Sequence, residues 1–208
     1  MTLLIVALTV LVSIIAFNDS KLFSLLLFDP WKVVHQKQWY RMFSHGLLHA
    51  DWVHLGVNMF VLYSFGQGVE MYFKQLEIEG LLHLPWLWFL FLYISSLFVA
   101  SLPTLWKHRN DSSYTAVGAS GAVSSVMACC IFFNPWSKLY FWAVIPIPGI
   151  VFAAAYIFYS SYMSKKQTGE PINHDAHLFG MLYGLVFPLL IDPKLFLYFI
   201  SKLIDVNF

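Results

Sequence analysis

The chain has 208 residues, of which 59% are apolar and only 11% carry a charge. This composition is too apolar for an ordinary water-soluble domain, and it also excludes an intrinsically disordered chain. The formal net charge is +1 and no run of basic residues occurs, so we expect no nucleic-acid partner. A membrane-spanning helix needs about 20 apolar residues, so the composition suffices for about six spans in a lipid bilayer.

The order of apolar and polar stretches predicts an all-α, multi-pass integral membrane protein. We expect one domain over residues 1–208, without a separate soluble domain. The predicted spans lie at about residues 3–17, 52–73, 81–102, 117–133, 149–163 and 176–191. No Lys or Arg precedes the first span, so we expect it to be retained rather than cleaved as a signal peptide.

The connections between the spans carry their own signals. Residues 18–50 mix aromatic and basic side chains, which is typical of the membrane interface. Asp51 is the predicted N-cap of the second span, and the third span is predicted to stop at Pro103. The stretch 139–145 is predicted to be a re-entrant or interfacial piece, because the Pro-Ile-Pro sequence at 146–148 interrupts it.

Polar side chains inside the second and fourth spans are candidates for function, since hydrocarbon disfavours unpaired polar groups. His54 and Asn58 are four residues apart and therefore share a helix face. Ser120 lies among small residues between Gly118 and Gly121 at the start of the fourth span. Each has a structural alternative: the first pair could hold helices together, and a lone serine in a membrane helix usually bonds to its own backbone.

In the sixth span, His177 opens the helix and shares its face with Gly180 and Gly184. The histidine could be merely interfacial, and two glycines at this spacing are a weak signal of helix packing. If the glycine face packs on the small residues of the fourth span, however, the imidazole of His177 comes within reach of the Ser120 hydroxyl. That arrangement supplies a nucleophile and its base.

The environment of Ser120 suits acyl transfer. Backbone N–H groups at a helix N-terminus lack partners and can stabilise an oxyanion, and His54 and Asn58 could add donors. The spans hold no Asp or Glu beside His177, and Asp175 should point away from it. The residues therefore predict a Ser-His dyad rather than a triad.

These residues resemble the rhomboid family of intramembrane serine proteases, in the six-span form common in bacteria. The resemblance covers most of the chain, from about Trp39 to Asp192. It depends on Arg41 to His45 with His49, on His54 to Asn58, on Gly118 to Gly121, on Ile145 to Pro148, and on Ala176 to Gly180.

The resemblance implies roles for single residues. Ser120 would be the nucleophile and His177 the general base and later acid. His54, Asn58 and the Ser120 backbone amide would form the oxyanion hole, and Gly118 would keep it open. Supporting glycines would be Gly118, Gly121, Gly180 and Gly184. Some bacterial members place an aromatic residue one turn after the nucleophile, packed on the histidine, whereas this chain has Ser124 there.

The resemblance also implies the fold, the substrate and the location. We expect a rhomboid-like bundle of six transmembrane helices with a partly membrane-embedded first loop, a cap over the site at 164–175, and a mobile gate formed by the fifth helix. The partners would be the lipid bilayer and the transmembrane segments of other membrane proteins, with no metal or other cofactor. The expected location is the bacterial inner (cell) membrane.

Two other functions remain open at this point. A catalytically silent, rhomboid-like protein could bind membrane clients without cutting them. A membrane metalloenzyme could use the imidazole-rich set of His45, His49, His54, His174, Asp175 and His177.

The orientation of the protein in the membrane is also open. Eight of the twelve Lys and Arg residues lie in the first, third and fifth loops, which favours a cytoplasmic active site. Bacterial six-span members usually have it outside, and we favour the family arrangement.

Overall fold

The computed structural model describes residues 1–141, 144–166 and 172–205. Over these ranges the chain is mostly helical, with one small hairpin. The helices are α1 Thr2–Asn18, α2 Ser20–Leu26, α3 Pro30–His35, α4 Arg41–Ser44, α5 Trp52–Ile78, α6 Pro85–His108, α7 Ser120–Phe133, α8 Gly149–Lys166, α9 His174–Val186, α10 Pro188–Ile191 and α11 Leu195–Ile204, and the strands are β1 Lys138–Phe141 and β2 Ile145–Pro148.

Helix α7 forms the centre of the bundle. It consists of apolar residues and a few serines, and nearly all of its residues are buried, as expected for a helix without a solvent face. Helices α5, α6 and α9 pack around it, and α8 packs mainly on α9. Small residues in α7 allow these close approaches, because they keep helix backbones near one another.

The ends of α5 and α6 can be compared with the ends of the predicted spans. Asp51 is the N-cap of α5, as predicted, and its carboxylate accepts from the His54 N–H at 2.8 Å. Helix α6 begins at Pro85, a residue favoured at the first helical position, rather than at residue 81. The predicted stop at Pro103 is wrong, since α6 continues through it to His108. Pro103 removes one hydrogen bond from the helix. Ending the helix there would leave several backbone groups unpaired in an apolar environment, which costs more free energy.

The stretch 139–145, predicted to be a re-entrant or interfacial piece, overlaps two paired strands, and its position relative to the membrane stays a prediction. Strands β1 and β2 form an antiparallel pair in which Lys138 lies opposite Pro148 and Tyr140 lies opposite Pro146. Proline is tolerated in an edge strand because its missing N–H can face away from the ladder. Residues 142 and 143 lie outside the described part of the chain.

The long first connection is built from short helices. Helices α2, α3 and α4 are followed by a 3-10 turn, His45–Leu47. The guanidinium of buried Arg41 donates to the carbonyl oxygens of Ser24 and Leu27, at 3.0 and 2.7 Å. These bonds fold the connection onto itself. Its predicted position partly within the membrane plane stays a prediction.

Among the helices of the described ranges, only α6 is both long and apolar enough to cross a membrane by length and composition. Helices α1 and α7 are apolar but have 17 and 14 residues. Helix α9 ends at Val186, just before Pro188, rather than continuing to residue 191. The number of spans therefore stays a prediction.

Candidate active site

Ser120 is the first residue of α7. Its neighbour Ala119 is the N-cap, and the Ala119 carbonyl accepts the first intrahelical bond, from the Val123 N–H at 2.9 Å. The N–H groups of the first turn have no partner within the helix, and the positive end of the helix dipole lies beside the half-buried Ser120 side chain. This end of α7 is suited to stabilise developing negative charge.

Helices α7 and α9 are in backbone contact through glycines. A Cβ atom at Gly180 would lie 2.1 Å from the Gly121 carbonyl oxygen, and one at Gly184 would lie 2.1 Å from the Ser125 carbonyl oxygen. The Ser125 hydroxyl donates to the Gly180 carbonyl at 2.7 Å. The predicted packing of the glycine face of α9 on α7 is therefore confirmed.

The same contact brings the two predicted catalytic positions to one end of the helix pair. A Cβ atom at Gly121 would lie 3.2 Å from the Ala176 carbonyl oxygen. Gly121 directly follows Ser120, and Ala176 directly precedes His177. Ser120 and His177 are thus each one residue away from a close contact between the N-terminal ends of α7 and α9.

An aromatic ring from α8 packs on His177. The rings of Tyr156 and His177 are stacked, with centroids 5.9 Å apart and an interplanar angle of 27°. The Tyr156 hydroxyl is hydrogen-bonded to the hydroxyl of buried Ser124 at 3.1 Å. The aromatic partner that Ser124 does not provide therefore comes from another helix, and Ser124 bonds to that partner.

Asp175 has a role away from the imidazole. Its carboxylate accepts from the Ser164 hydroxyl and forms an ion pair with Lys107 at 3.5 Å. The expectation that it points away from His177 is confirmed. Its contacts join the ends of α6, α8 and α9. Part of the predicted cap, residues 167–171, lies outside the described residues.

His54 faces the backbone just before Ser120. Gly118 has a φ of 121°, and a Cβ atom there would lie 2.8 Å from Cε1 and 3.1 Å from Nε2 of His54. The Ala50 N–H donates to Nδ1 of His54 at 3.4 Å, so a neutral ring carries its proton on Nε2. The N–H at Nε2 of His54 therefore points toward the N-terminal end of α7. Gly118 leaves room for the ring because glycine has no Cβ atom.

Asn58 lies one turn after His54 on the same face of α5, as predicted. Its side chain is buried, with 6% of its surface exposed. The amide nitrogen donates to the His54 carbonyl oxygen at 2.8 Å. This bond holds one amide proton within α5 and leaves the second for another acceptor.

His45 is a site residue that sequence reasoning assigned only to the family motif and to a possible metal set. Its backbone carbonyl accepts from the Gly118 N–H, and its Nδ1 donates to the Gly118 carbonyl, both at 3.1 Å. Nearby, Phe28 and Ala116 form a two-bond bridge. The first connection therefore holds the segment that leads into Ser120. Its place in the stretch from Arg41 to His45 was the signal available in the sequence.

The imidazole-rich set does not converge. Within residues 1–141, 144–166 and 172–205, no group of three or more His, Cys, Asp or Glu side chains could hold a metal ion. Nδ1 of His49 lies 3.0 Å from the Ser13 hydroxyl, and Nε2 of His45 lies 3.0 Å from the Ser101 hydroxyl. These partners disfavour the metalloenzyme alternative.

A family model described as "Rhomboid domain" matches residues 36–193, which include every candidate site residue above. The chain belongs to the rhomboid family. It is therefore a membrane protein of that family, and its helical bundle carries the rhomboid domain.

Two relatives agree with this assignment. This rhomboid is 33% identical to "Rhomboid-like protein 11, chloroplastic" of Arabidopsis thaliana over 159 residues, which cover 71% of the chain and 51% of the relative. It is 28% identical to "Rhomboid protein 1, mitochondrial" of Saccharomyces cerevisiae over 144 residues, which cover 67% of the chain and 38% of the relative. The chain spans about half the length, or less, of the curated relatives that it matches.

Proposed function

We propose that this rhomboid is an intramembrane serine endopeptidase, with Ser120 as nucleophile and His177 as general base. The observation that carries the proposal is the glycine-mediated contact of α7 and α9, which brings the Ser120 and His177 ends of the two helices together. Rhomboid family members are generally serine proteases, which agrees with this assignment.

In the proposed reaction, His177 removes the proton of the Ser120 hydroxyl as Oγ attacks the carbonyl carbon of the scissile peptide. The oxyanion accepts hydrogen bonds from the Ser120 backbone N–H, from Nε2 of His54 and from the second amide proton of Asn58. His177 then gives its proton to the leaving amine. A water molecule, activated by the same imidazole, hydrolyses the acyl-enzyme and restores the serine.

The substrate class follows from where this chemistry would take place. Helix α7 has 14 residues, and at about 1.5 Å per residue it is shorter than the hydrocarbon core of about 30 Å. Ser120 would then lie below the membrane surface, within reach of a transmembrane segment of another membrane protein. A stable helix shields its peptide bonds, so we expect segments with helix-weakening residues to be preferred.

The six-span arrangement, the partly embedded first loop and the gating role of the fifth span, α8, belong to this proposal. The bacterial inner membrane remains a prediction, because the two relatives are named as chloroplastic and mitochondrial.

The test is cleavage of a model transmembrane substrate by the purified chain in liposomes. We expect Ser120→Ala and His177→Ala each to abolish cleavage without unfolding the protein. Matched controls are Ser64→Ala, whose hydroxyl bonds to its own helix at the Phe60 carbonyl, and His83→Ala at an exposed site. Both should cleave at the wild-type rate.

Continued cleavage by Ser120→Ala would overturn the mechanism, and a wild-type chain that binds the substrate without cutting it would support the client-binding alternative.

A further inference from the structure

Tyr156 connects three helices at the candidate site. Its ring stacks on His177 of α9, and its hydroxyl bonds to Ser124 of α7, while the residue itself belongs to α8. The Tyr156 ring also stacks with the ring of Phe152, one turn earlier on α8, and the ring centroids are 5.8 Å apart. The ring is therefore held by its own helix and by one hydrogen bond to the nucleophile helix.

An imidazole that acts as a base needs a defined orientation, because misplacement of a catalytic group by about 1 Å can cost about a hundredfold in rate. In a triad a carboxylate provides this orientation. Here the carboxylate nearest in sequence, Asp175, bonds instead to Ser164 and Lys107. His174 contacts His177 edge-on at 6.1 Å, but it lies on the same helix and does not fix α9 against α7.

We propose that Tyr156 is the positioning residue for His177, delivered by α8 and fixed by Ser124, so that the imidazole is oriented only while α8 is docked. This inference rests on the proposed role of His177 as the base. An aromatic residue on α7 would stay beside the histidine whatever α8 did. Because the ring comes from α8, any movement of α8 away from α7 and α9 removes both the stacking and the hydrogen bond.

Two further contacts among the described residues hold α8 against the bundle. Ala153 is buried, with 1% of its surface exposed, and lies in the apolar cluster that includes Met127 and Met181. At the other end of α8, the Ser164 hydroxyl donates to Asp175 of α9. Tyr156 lies between these attachments, so the position of its ring follows the position of the helix.

The experiment measures how fast a small fluorophosphonate labels Ser120 in detergent-solubilised protein, because this probe requires the Ser-His chemistry but no transmembrane substrate. We expect Tyr156→Leu to lower the labelling rate about tenfold or more. Tyr156→Phe and Ser124→Ala should each lower it by about fivefold, the effect of one hydrogen bond, and the double variant should be no slower than either. Phe158→Leu, which removes an exposed ring from the same helix, should label at the wild-type rate.

The final labelled fraction separates positioning from folding. A positioning role lowers the rate and leaves the labelled fraction at completion unchanged, whereas partial unfolding lowers that fraction. With the transmembrane substrate, the same variants should lower kcat more than they raise KM. Labelling by Tyr156→Phe and Ser124→Ala at the wild-type rate, or additive effects in the double variant, would overturn the inference even if Tyr156→Leu does not fold.

A second pair of variants tests the dependence on α8. Ala153→Leu should push α8 from the bundle and slow labelling, while Ala155→Leu, at an exposed position two residues later, should not. Equal rates for these two variants would overturn the dependence on docking. A wild-type chain that is not labelled at Ser120 would overturn the proposed function itself, whereas normal labelling of wild type and of all Tyr156 variants would overturn only the positioning role.

Discussion

Gly118 shows how one residue shapes the candidate oxyanion site. Its φ of 121° is a conformation that side chains rarely adopt, and its missing Cβ leaves room for the His54 ring. Its N–H and carbonyl are both bonded to His45, so the loop cannot move aside to accept a larger residue. The close approach of His54 to the start of α7 therefore depends on glycine at this position.

We expect Gly118→Ala to lower both stability and activity. The positive φ costs about 1–2 kcal/mol for a residue with a side chain, and the added Cβ would meet the His54 ring at 2.8 Å. The matched control is Gly80→Ala, which has a φ of 73° but no atom within 4 Å of the added Cβ. Thermal unfolding should show a loss for both variants, larger in Gly118→Ala because only its added Cβ meets another side chain, and cleavage should fall only in Gly118→Ala. Equal cleavage by the two would contradict the role of Gly118 in the site.

Asn58→Ala should weaken cleavage without abolishing it. Loss of one oxyanion donor typically costs about a hundredfold or more in kcat, while the nucleophile and base remain. Asn18→Ala removes an exposed asparagine that also bonds to the carbonyl four residues earlier, at Ile14, and it serves as the control. Wild-type kcat in Asn58→Ala would remove Asn58 from the oxyanion hole and leave its amide only the hydrogen bond to the His54 carbonyl within α5.

At the scale of elements, the contact of α7 and α9 decides whether a site exists. The two backbones approach so closely that carbonyl oxygens of α7 occupy the space where side chains of α9 would be. Such contacts are favourable in lipid because van der Waals packing, rather than water exclusion, drives helix association there. The spacing of Gly180 and Gly184 was only a weak sequence signal for this face of α9, and the structure shows that the face packs inward.

Gly180→Ala should destabilise the bundle by about 3 kcal/mol or more, since its Cβ would lie 2.1 Å from a backbone oxygen that cannot rotate away. Gly56→Ala in α5 meets nothing within 4 Å and should be neutral or stabilising by about 0.5–1 kcal/mol. Unfolding in mixed detergent micelles would measure both. A Gly180→Ala variant as stable as Gly56→Ala would contradict the close backbone contact.

At the scale of the whole molecule, the ends of the bundle differ in charge. One end holds the candidate active site and is called the active-site end. It has the first connection, the turn after α6, the C-terminal end of α8 and the start of α9, and it carries eight of the twelve Lys and Arg residues. The opposite end has the α5–α6 turn, the β hairpin and α11. The positive-inside rule and the usual arrangement of bacterial six-span rhomboids therefore point in opposite directions.

We expect the family arrangement, with both termini in the cytoplasm. A fluorescent protein fused after residue 208 and expressed in a bacterial host should fluoresce, while alkaline phosphatase at the same position should be inactive. Fusions at Asn110, after α6, should give the reverse pattern. Phosphatase activity at the C-terminus would place the active-site end in the cytoplasm and show that the charge distribution decides the orientation.

The sequence by itself determined the class of protein and the candidate nucleophile, base and oxyanion residues. It could do so because composition reports burial in lipid, and because polar groups such as Ser120 and His177 are costly in apolar helices unless they have a use. It also indicated the Asp51 cap and the inward face of α9, which are local properties of spacing. Only the tertiary structure decided that Tyr156 stacks on His177, that His45 holds Gly118, and that 138–141 pair with 145–148. The first two contacts join residues far apart in the chain, and they depend on how each helix is rotated about its axis, which a local pattern does not specify. The hairpin depends on the residues that pair with Pro146 and Pro148. In the sequence, these prolines indicate only that a helix is interrupted.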